Sequence, residues 1–289
     1  MATGRTDEAE WGAWIGRTQV AEDGLDPARA RALHATLDLP GPAPGPGDPL
    51  PPLWHWLYFW RLSPMAALGP DGHPVRGGFL PPIPLPRRMW AGSRLSFPRP
   101  LTIGGLARCR STIADVRFRE GRTGRLAFVT VRHEISAGDE VCVTDEHDIV
   151  YRAPPGPDDA TRPGEPAPQK APWQRQWNAD PVLLFRYSAL TFNGHRIHYD
   201  RAYATGVEGY PGLVVHGPLL ATLMVELARA QRPKAAVTAF EFRAQRPIFD
   251  GSPFQVAGTP SGDGTGAELW VADTDGYFAA KGRVELAGG

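Results

Sequence analysis

Hydrophobic and polar positions alternate with a period near two in "RLAFVTVRHEI" and "EVCVTDEHDIVY". Both are rich in Val, Ile, Phe and Thr, which predicts half-buried strands. "REGRTGR" and "SAGDE" supply turns, so about Arg94 to Tyr151 reads as strands and turns. The pattern restarts in the second half. "VLLFRYSALT" predicts an edge or buried strand. In "GPLLATLMVELARAQ", Leu219, Leu220, Leu223, Met224 and Leu227 share one face, and Pro218 suits a first helical position. This helix is apolar enough to be covered on most sides. Four strand-like segments follow: "AVTAFEFRAQRP", "SPFQVAG", "AELWVAD" and "YFAAKGRVEL", with "TDG" (Thr274 to Gly276) as a hairpin signal. One long apolar helix followed by an antiparallel meander describes a sheet wrapped around a buried helix.

The chain's start differs. "DPARARALHATLDL" predicts a short helix with Asp26 as N-cap and Pro27 at the first position. "PGPAPGPGDPLPP" (Pro40 to Pro52) excludes regular structure. The aromatic block "LWHWLYFW" (Leu53 to Trp60) reads as a buried strand or core segment, or as the wall of a ligand tunnel. "APPGPDDATRPGEPAP" (Ala153 to Pro168) reads as a solvated extended tether. The expected division is therefore an N-terminal domain at 1–152, a Pro-rich linker at 153–172 and a C-terminal domain at 173–289.

Composition narrows the function classes. The 289 residues allow one large domain or two ordinary ones, and 42 % hydrophobic content is enough for a core. A formal net charge of zero argues against electrostatic binding to nucleic acid or anionic lipid. No apolar run reaches the roughly 20 residues of a membrane span. "MATGRTDEAEWGAW" lacks the basic-then-apolar order of a secretory signal, so the expected compartment is the cytoplasm. The two cysteines, Cys109 and Cys142, lie in strand-like segments and read as small apolar core residues.

The candidate chemistry sits in "LTFNGHRIHYD" (Leu190 to Asp200). His195 and His198 beside Asn193 and Arg196 fit an acid-base site, a metal site or a polar loop. A zinc site needs three or four ligands, and neither cysteine is near in sequence, so no metal is expected. No Ser-His-Asp order or Gly-rich nucleotide fingerprint appears. The loop that follows, "DRAYATGVEGYPGLVVHG", ends at the start of the apolar helix. A helix N-terminus carries unpaired N–H groups and partial positive charge. The N–H of Gly217 is thus a ready oxyanion donor, and with His198 nearby it would suit chemistry through an enolate.

Asn193-Gly-His195-Arg196-Ile197-His198 and Val215-His216-Gly217-Pro218 resemble the motifs of MaoC-like (R)-hydratases, which are hot-dog proteins. "FRYSALTFNGHRIHYD" and "GYPGLVVHGPL" are most similar to the subfamily of 3-methylfumaryl-CoA (mesaconyl-C4-CoA) hydratases and hydroxyacyl-thioester dehydratases. "DGHPVRGGFLPPIPLPRRMWAGSRLSF" and "DIVYR" resemble that subfamily's degenerate N-terminal hot dog, so the likeness spans about residues 50 to 289. It implies an α+β double hot-dog fold. It implies reversible addition of water across the Cα–Cβ bond of an enoyl-CoA, with the first half forming a tunnel wall.

His198 and Asn193 are then the catalytic residues, and Gly217 and His216 hold the thioester. Arg196, His195 and Tyr199 bind substrate. CoA is carried by the substrate, so no cofactor is expected, and the partners are the acyl-CoA and, as an open case, a second copy of the chain. The wider family has an acid-base Asp where this chain has Asn193, and an amide cannot take a proton at neutral pH. Asp200 and Glu208 are the local carboxylates that could help, although a cap and a solvated loop residue are their plainer readings. A dicarboxylic acyl group would need a cation, for which Arg196, Arg186 and Arg243 are candidates. The rival readings are an (R)-3-hydroxyacyl-thioester dehydratase of fatty acid metabolism, a non-catalytic acyl-CoA-binding hot dog and a thioesterase.

Overall fold

Two aspartate–proline pairs start two helices. Asp26 accepts from Ala28 N–H at 2.8 Å and opens α1 (Pro27–Thr36) as the sequence predicts. Asp180 accepts from Val182 N–H at 2.7 Å and opens α2 (Pro181–Leu190). The predicted strand "VLLFRYSALT" is therefore a helix. Its β-branched and aromatic content favours a strand, but the cap satisfies a first-turn donor and proline fixes the first helical φ. α2 buries Leu184, Tyr187 and Ser188 and leaves Val182 and Phe185 exposed.

The computed structural model describes residues 11–121, 124–153 and 164–288. Ten strands form one antiparallel sheet: β1 (Thr18–Gly24), β2 (Arg87–Ser96), β3 (Leu106–Gly121), β4 (Gly124–Ala137), β5 (Glu140–Arg152), β6 (Trp173–Asn178), β7 (Ala236–Ala244), β8 (Pro253–Pro260), β9 (Gly266–Ala272) and β10 (Phe278–Ala287). Their order is β1-β3-β4-β5-β2-β7-β10-β9-β8-β6. The expected two sheets are halves of one continuous sheet, joined where β2 pairs with β7 from Gly92↔Arg243 to Ser96↔Ala239. β1, which the sequence reading missed, pairs with the edge of β3.

Each half curls around a helix. In the first, Ala30, Leu33 and Leu37 at α1 join Leu95, Ile103, Cys109 and Ile135 of the sheet and its loops in one core. In the second, α4 (Gly217–Gln231) packs on β6 to β10 and is buried without a break from Leu219 to Ala228. A helix buried on all sides must be apolar all round or have its polar groups paired. Thr222 and Glu226 are the exceptions on α4, and both are paired: Thr222 Oγ1 donates to Pro218 O at 2.8 Å, and Glu226 accepts from Trp54 Nε1–H at 2.9 Å and from Arg229 at 2.7 Å. Trp54 lies in a 3-10 turn, Trp54–Leu57, so "LWHWLYFW" is core but not strand. This bond ties the halves across their shared core. Trp54→Phe, which keeps the ring and removes the donor, should cost about 1–3 kcal/mol. A thermal melt with unchanged Tm would show the bond contributes nothing.

The interdomain tether is only partly visible, since 154–163 lie outside the described residues. Its end is exposed at Glu165, Pro166 and Pro168 but docked on the second half: Ala167 N–H donates to Gly276 O at 2.8 Å, and Pro166 bridges to Tyr277. Cys109 and Cys142 are buried free thiols, and no described helix is long and apolar enough to cross a membrane.

Candidate active site

The site grows from the C-terminus of α2. Phe192 follows the helix at φ 50, a left-handed conformation that usually takes glycine. Its ring stacks on Trp60 of the first half at 5.0 Å, which holds the strained residue in place. The chain then turns through Asn193, whose Oδ1 accepts from His195 N–H at 3.0 Å. One lone pair of that oxygen is thus already used in closing the loop. A single 3-10 turn, Arg196–His198, brings His198 inward, where it is buried.

His198 is fixed from one side. Val214 N–H donates to Ile197 O at 2.9 Å, and His198 Nδ1 lies 2.7 Å from Val214 O. A carbonyl only accepts, so Nδ1 carries the proton and Nε2 is the basic nitrogen of the neutral ring. Burial lowers the His198 pKa to about 4, against the opposing pull of the Val214 carbonyl. The ring of His216 stacks on His198 with centroids 3.7 Å apart. His216 Nε2 lies 2.8 Å from Ser188 Oγ on α2, and burial drives its pKa well below the ordinary value. Both rings are neutral at pH 7.

His216 is also the N-cap residue of α4, without a side-chain cap bond. Gly217 opens the helix, so its N–H has no partner within it. A Cβ at Gly217 would stand 2.6 Å from Trp90 Cε3, and Trp90 stacks on Phe242 at 4.7 Å. The first half thus lays an indole over the helix N-terminus. The structure brings His198, His216 and Gly217 together as the sequence implied.

Other expected residues fall differently. Arg196 is engaged along its whole guanidinium: Nε and a terminal nitrogen donate to Asp200 Oδ2 at 3.0 and 2.7 Å, the other terminal nitrogen donates to Pro70 O, and the group lies over Tyr203. Asp200 caps α3 (Arg201–Gly206), accepting from Tyr203 N–H at 3.0 Å. Glu208 pairs with Arg87 at 3.4 Å and takes the Tyr203 hydroxyl at 3.3 Å, so it is not a solvated loop residue. Neither carboxylate is free for proton transfer. Tyr199 is exposed and donates to Gly194 O. Arg186 and Arg243 are exposed and absent from the cleft walls, so neither can hold a bound carboxylate there.

The structure supplies a carboxylate that the sequence reading missed. Asp71 lies 3.1 Å from His73 Nδ1, and the His73 ring meets His195 at 4.1 Å, which in turn meets His198 at 5.4 Å. The loops carrying Asp71 and His195 dock glycine to glycine. Any side chain at Gly72, whose φ is +84, would collide with the Gly194 carbonyl. Burial lowers both His73 and His195, the latter to about 2, with His73 adding to the effect. Asp71 is held well below the usual carboxylate range by its bonds to His73, although burial opposes this. Asp71, His73 and His195 also offer ligand atoms within 4.8 Å of one another, enough to receive an ion. Asp-x-His spacing was the signal available in the sequence.

Asp71, His73, Asn193, His195, His198 and Gly217 line one cleft of about 2180 Å³ between the halves. That exceeds the roughly 300–1,000 Å³ of a compact ligand pocket, so it suits an extended molecule. The sequence profile of the family described as hydroxyacyl-thioester dehydratase type 2 matches residues 53–250. The chain is 51 % identical over 280 residues to mesaconyl-C(4)-CoA hydratase of Chloroflexus aurantiacus, covering 97 % of this chain and 99 % of that one.

The chain belongs to the hydroxyacyl-thioester dehydratase type 2 family.

It is a hydro-lyase. A second member, the mitochondrial hydroxyacyl-thioester dehydratase type 2 of Schizosaccharomyces pombe, is 29 % identical over 267 residues, 81 % of this chain and 86 % of that one. The fold is the double hot dog. A Mycobacterium tuberculosis protein with a double hot-dog fold superposes with a TM-score of 0.59 at 15 % identity, over 94 % of this chain and 96 % of that one. Family membership spans both the half that carries His198 and the half that carries His73 and Trp90.

Proposed function

We propose that the protein adds water reversibly to the Cα–Cβ double bond of an enoyl-CoA, and that its acyl group carries a second carboxylate, as in mesaconyl-C4-CoA. The observation that carries this reading is the pairing of a neutral, basic His198 Nε2 with the N-terminus of α4 in one cleft. The thioester oxygen takes the Gly217 N–H as negative charge develops on it. His198 removes a proton from water as it attacks Cβ and returns one to Cα. Asn193 orients that water with the remaining lone pair of its oxygen. His216 packs beneath His198 and fixes its plane, while His195 and Tyr199 contact the substrate. Arg196 braces the loop, because each of its three guanidinium nitrogens already donates to Asp200 or Pro70. CoA enters as part of the substrate.

The likeness to mesaconyl-C(4)-CoA hydratase supports the acyl chain, at 51 % identity. The fungal dehydratase supports a second reading, a fatty (R)-3-hydroxyacyl thioester. We assign residues 1–152 and 173–289 to the two hot dogs and 153–172 to their linker, and place the protein in the cytoplasm, as monomer or homodimer.

The test is turnover of mesaconyl-C4-CoA and crotonyl-CoA, followed by loss of enoyl-thioester absorbance. Rapid hydration of mesaconyl-C4-CoA is the expected result. Equal use of crotonyl-CoA would favour the fatty substrate, no hydration of either would leave an acyl-CoA-binding protein, and release of free thiol would make it a thioesterase. Within this reading, Asn193→Ala should cost less than loss of His198, since only orientation goes. Asn193→Asp should stay active and add an ionisation at low pH. Equal loss from Asn193→Ala and His198→Ala would show that the two act as one unit.

A further inference from the structure

The cleft continues past the histidines into the first half, and its arginines there are unequally committed. Arg76 donates to the carbonyls of Ile83, Leu85 and Pro86. Arg87 is taken by Glu208 and Arg196 by Asp200. Arg152 and Arg246 also have partners. Arg61 and Arg88 line the same cleft, and among the described residues neither has an acid within ion-pair distance. The other acids that line the cleft are held elsewhere: Asp71 by His73, buried Asp145 by Trp56 Nε1–H at 3.0 Å, and Glu165 by Lys281 at 2.7 Å.

A third group points to the same spot. Tyr151 sits opposite Arg88 across the β2–β5 pair. Its residue is fully buried, and its hydroxyl makes no well-formed hydrogen bond, with Arg88 the donor that faces it. A buried unpaired hydroxyl costs stability unless something fills the place. Arg61 is reached by solvent through the cleft, but protein crowds its guanidinium. That crowding, with Arg88 nearby, lowers its pKa. The field of Arg88 is also felt at His195 and His73, so Arg88 lies toward the reacting end of the cleft. The neighbouring histidines are neutral and add no positive charge of their own.

We infer that Arg61, Arg88 and the Tyr151 hydroxyl form a carboxylate-binding site that receives the free carboxylate of a dicarboxylic acyl-CoA. This rests on the dicarboxylic reading above and names the residues that enforce it. Two guanidinium groups and a phenol offer donors in the fork geometry that carboxylates accept, which lysine could not copy. A neutral acyl chain would leave both cations unpaired, so selectivity arises from rejection as much as from attraction.

The test uses succinyl-CoA and butyryl-CoA, which differ at the chain end by the carboxylate and carry no double bond to react. Calorimetry on the full chain should find succinyl-CoA bound about tenfold to a hundredfold more tightly. Arg88→Met and Arg61→Met should each shrink that ratio, and Tyr151→Phe should shrink it less. Should either arginine variant fail to fold, the other and Tyr151→Phe still carry the measurement. Equal wild-type affinity for the two thioesters would overturn the proposal. So would variants that weaken both ligands by the same factor, since that assigns the arginines to a CoA phosphate or to the fold. Failure of the hydratase reading would appear separately, as absence of turnover with any enoyl-CoA.

Discussion

Replacing His198 by alanine lowers kcat/KM for hydration by roughly a hundredfold to ten-thousandfold, the range of a general acid-base group. The loss is specific because the ring's anchors are backbone groups: Val214 still donates to Ile197 O after the change. The fold should therefore be kept, with the lowering of Tm that removal of a buried, stacked ring brings. The pH profile sharpens the test. A histidine in water titrates near 6.5, and that is the limb the sequence alone would predict. Burial lowers His198 to about 4. Its basic form then persists down to that pH, so the acid limb of kcat/KM belongs near 4 and activity is flat through neutrality.

The same burial acts on stability. Between the unfolded value of about 6.5 and the folded one, the unfolded chain binds the extra proton. Stability from this residue is therefore complete above pH 6.5 and falls as the pH drops toward 4. His198→Ala should unfold less steeply in acid over that window. An alanine variant with near wild-type turnover, or one that keeps the same acid limb, would remove His198 from proton transfer. His73, paired with Asp71 beside His195, would then be the group to test.

Local chemistry explains what could be read from the sequence. α1 was legible because Asp26 and Pro27 begin it, and α4 because Pro218 begins it and its apolar positions share a face. α2 was misread on composition, although its Asp180–Pro181 start repeats that of α1. His198, His216 and Gly217 were legible as a loop running into a helix N-terminus. What no local pattern carries is contact between the halves. Asp71 and His73 reach His195 because two glycines let their loops touch. The sequence offers Arg186, Arg196 and Arg243 as the cation for a carboxylate, all in the second half, for the same reason. Arg243 follows the buried Phe242 in β7, so the alternation of the strand turns it outward. Arg186 lies on the open face of α2. Arg61 and Arg88 come from the other half, more than a hundred residues away in sequence, and become candidates only when β2 pairs with β7.

Gly217→Ala is expected to cost hydration about a hundredfold to a thousandfold, the range for loss of one oxyanion donor. The N–H itself survives the substitution, so the effect must come from geometry. The new Cβ would stand 2.6 Å from Trp90 Cε3 and 3.0 Å from Cζ3, too close for either side to remain in place. Trp90 cannot retreat easily, being stacked on Phe242 and set edge-on to Trp56 at 5.6 Å. The helix start must therefore shift, which carries the donor away from the developing oxyanion. The loss should fall on kcat more than on KM, because the oxyanion is bound only as the transition state forms. Trp90→Leu makes room, so Gly217→Ala with Trp90→Leu should regain part of the rate that Gly217→Ala loses, measured against Trp90→Leu alone. A double variant no faster than Gly217→Ala would mean that the indole is not what displaces the helix. A Gly217→Ala protein with unchanged kcat would show that the first turn of α4 does not hold the thioester oxygen.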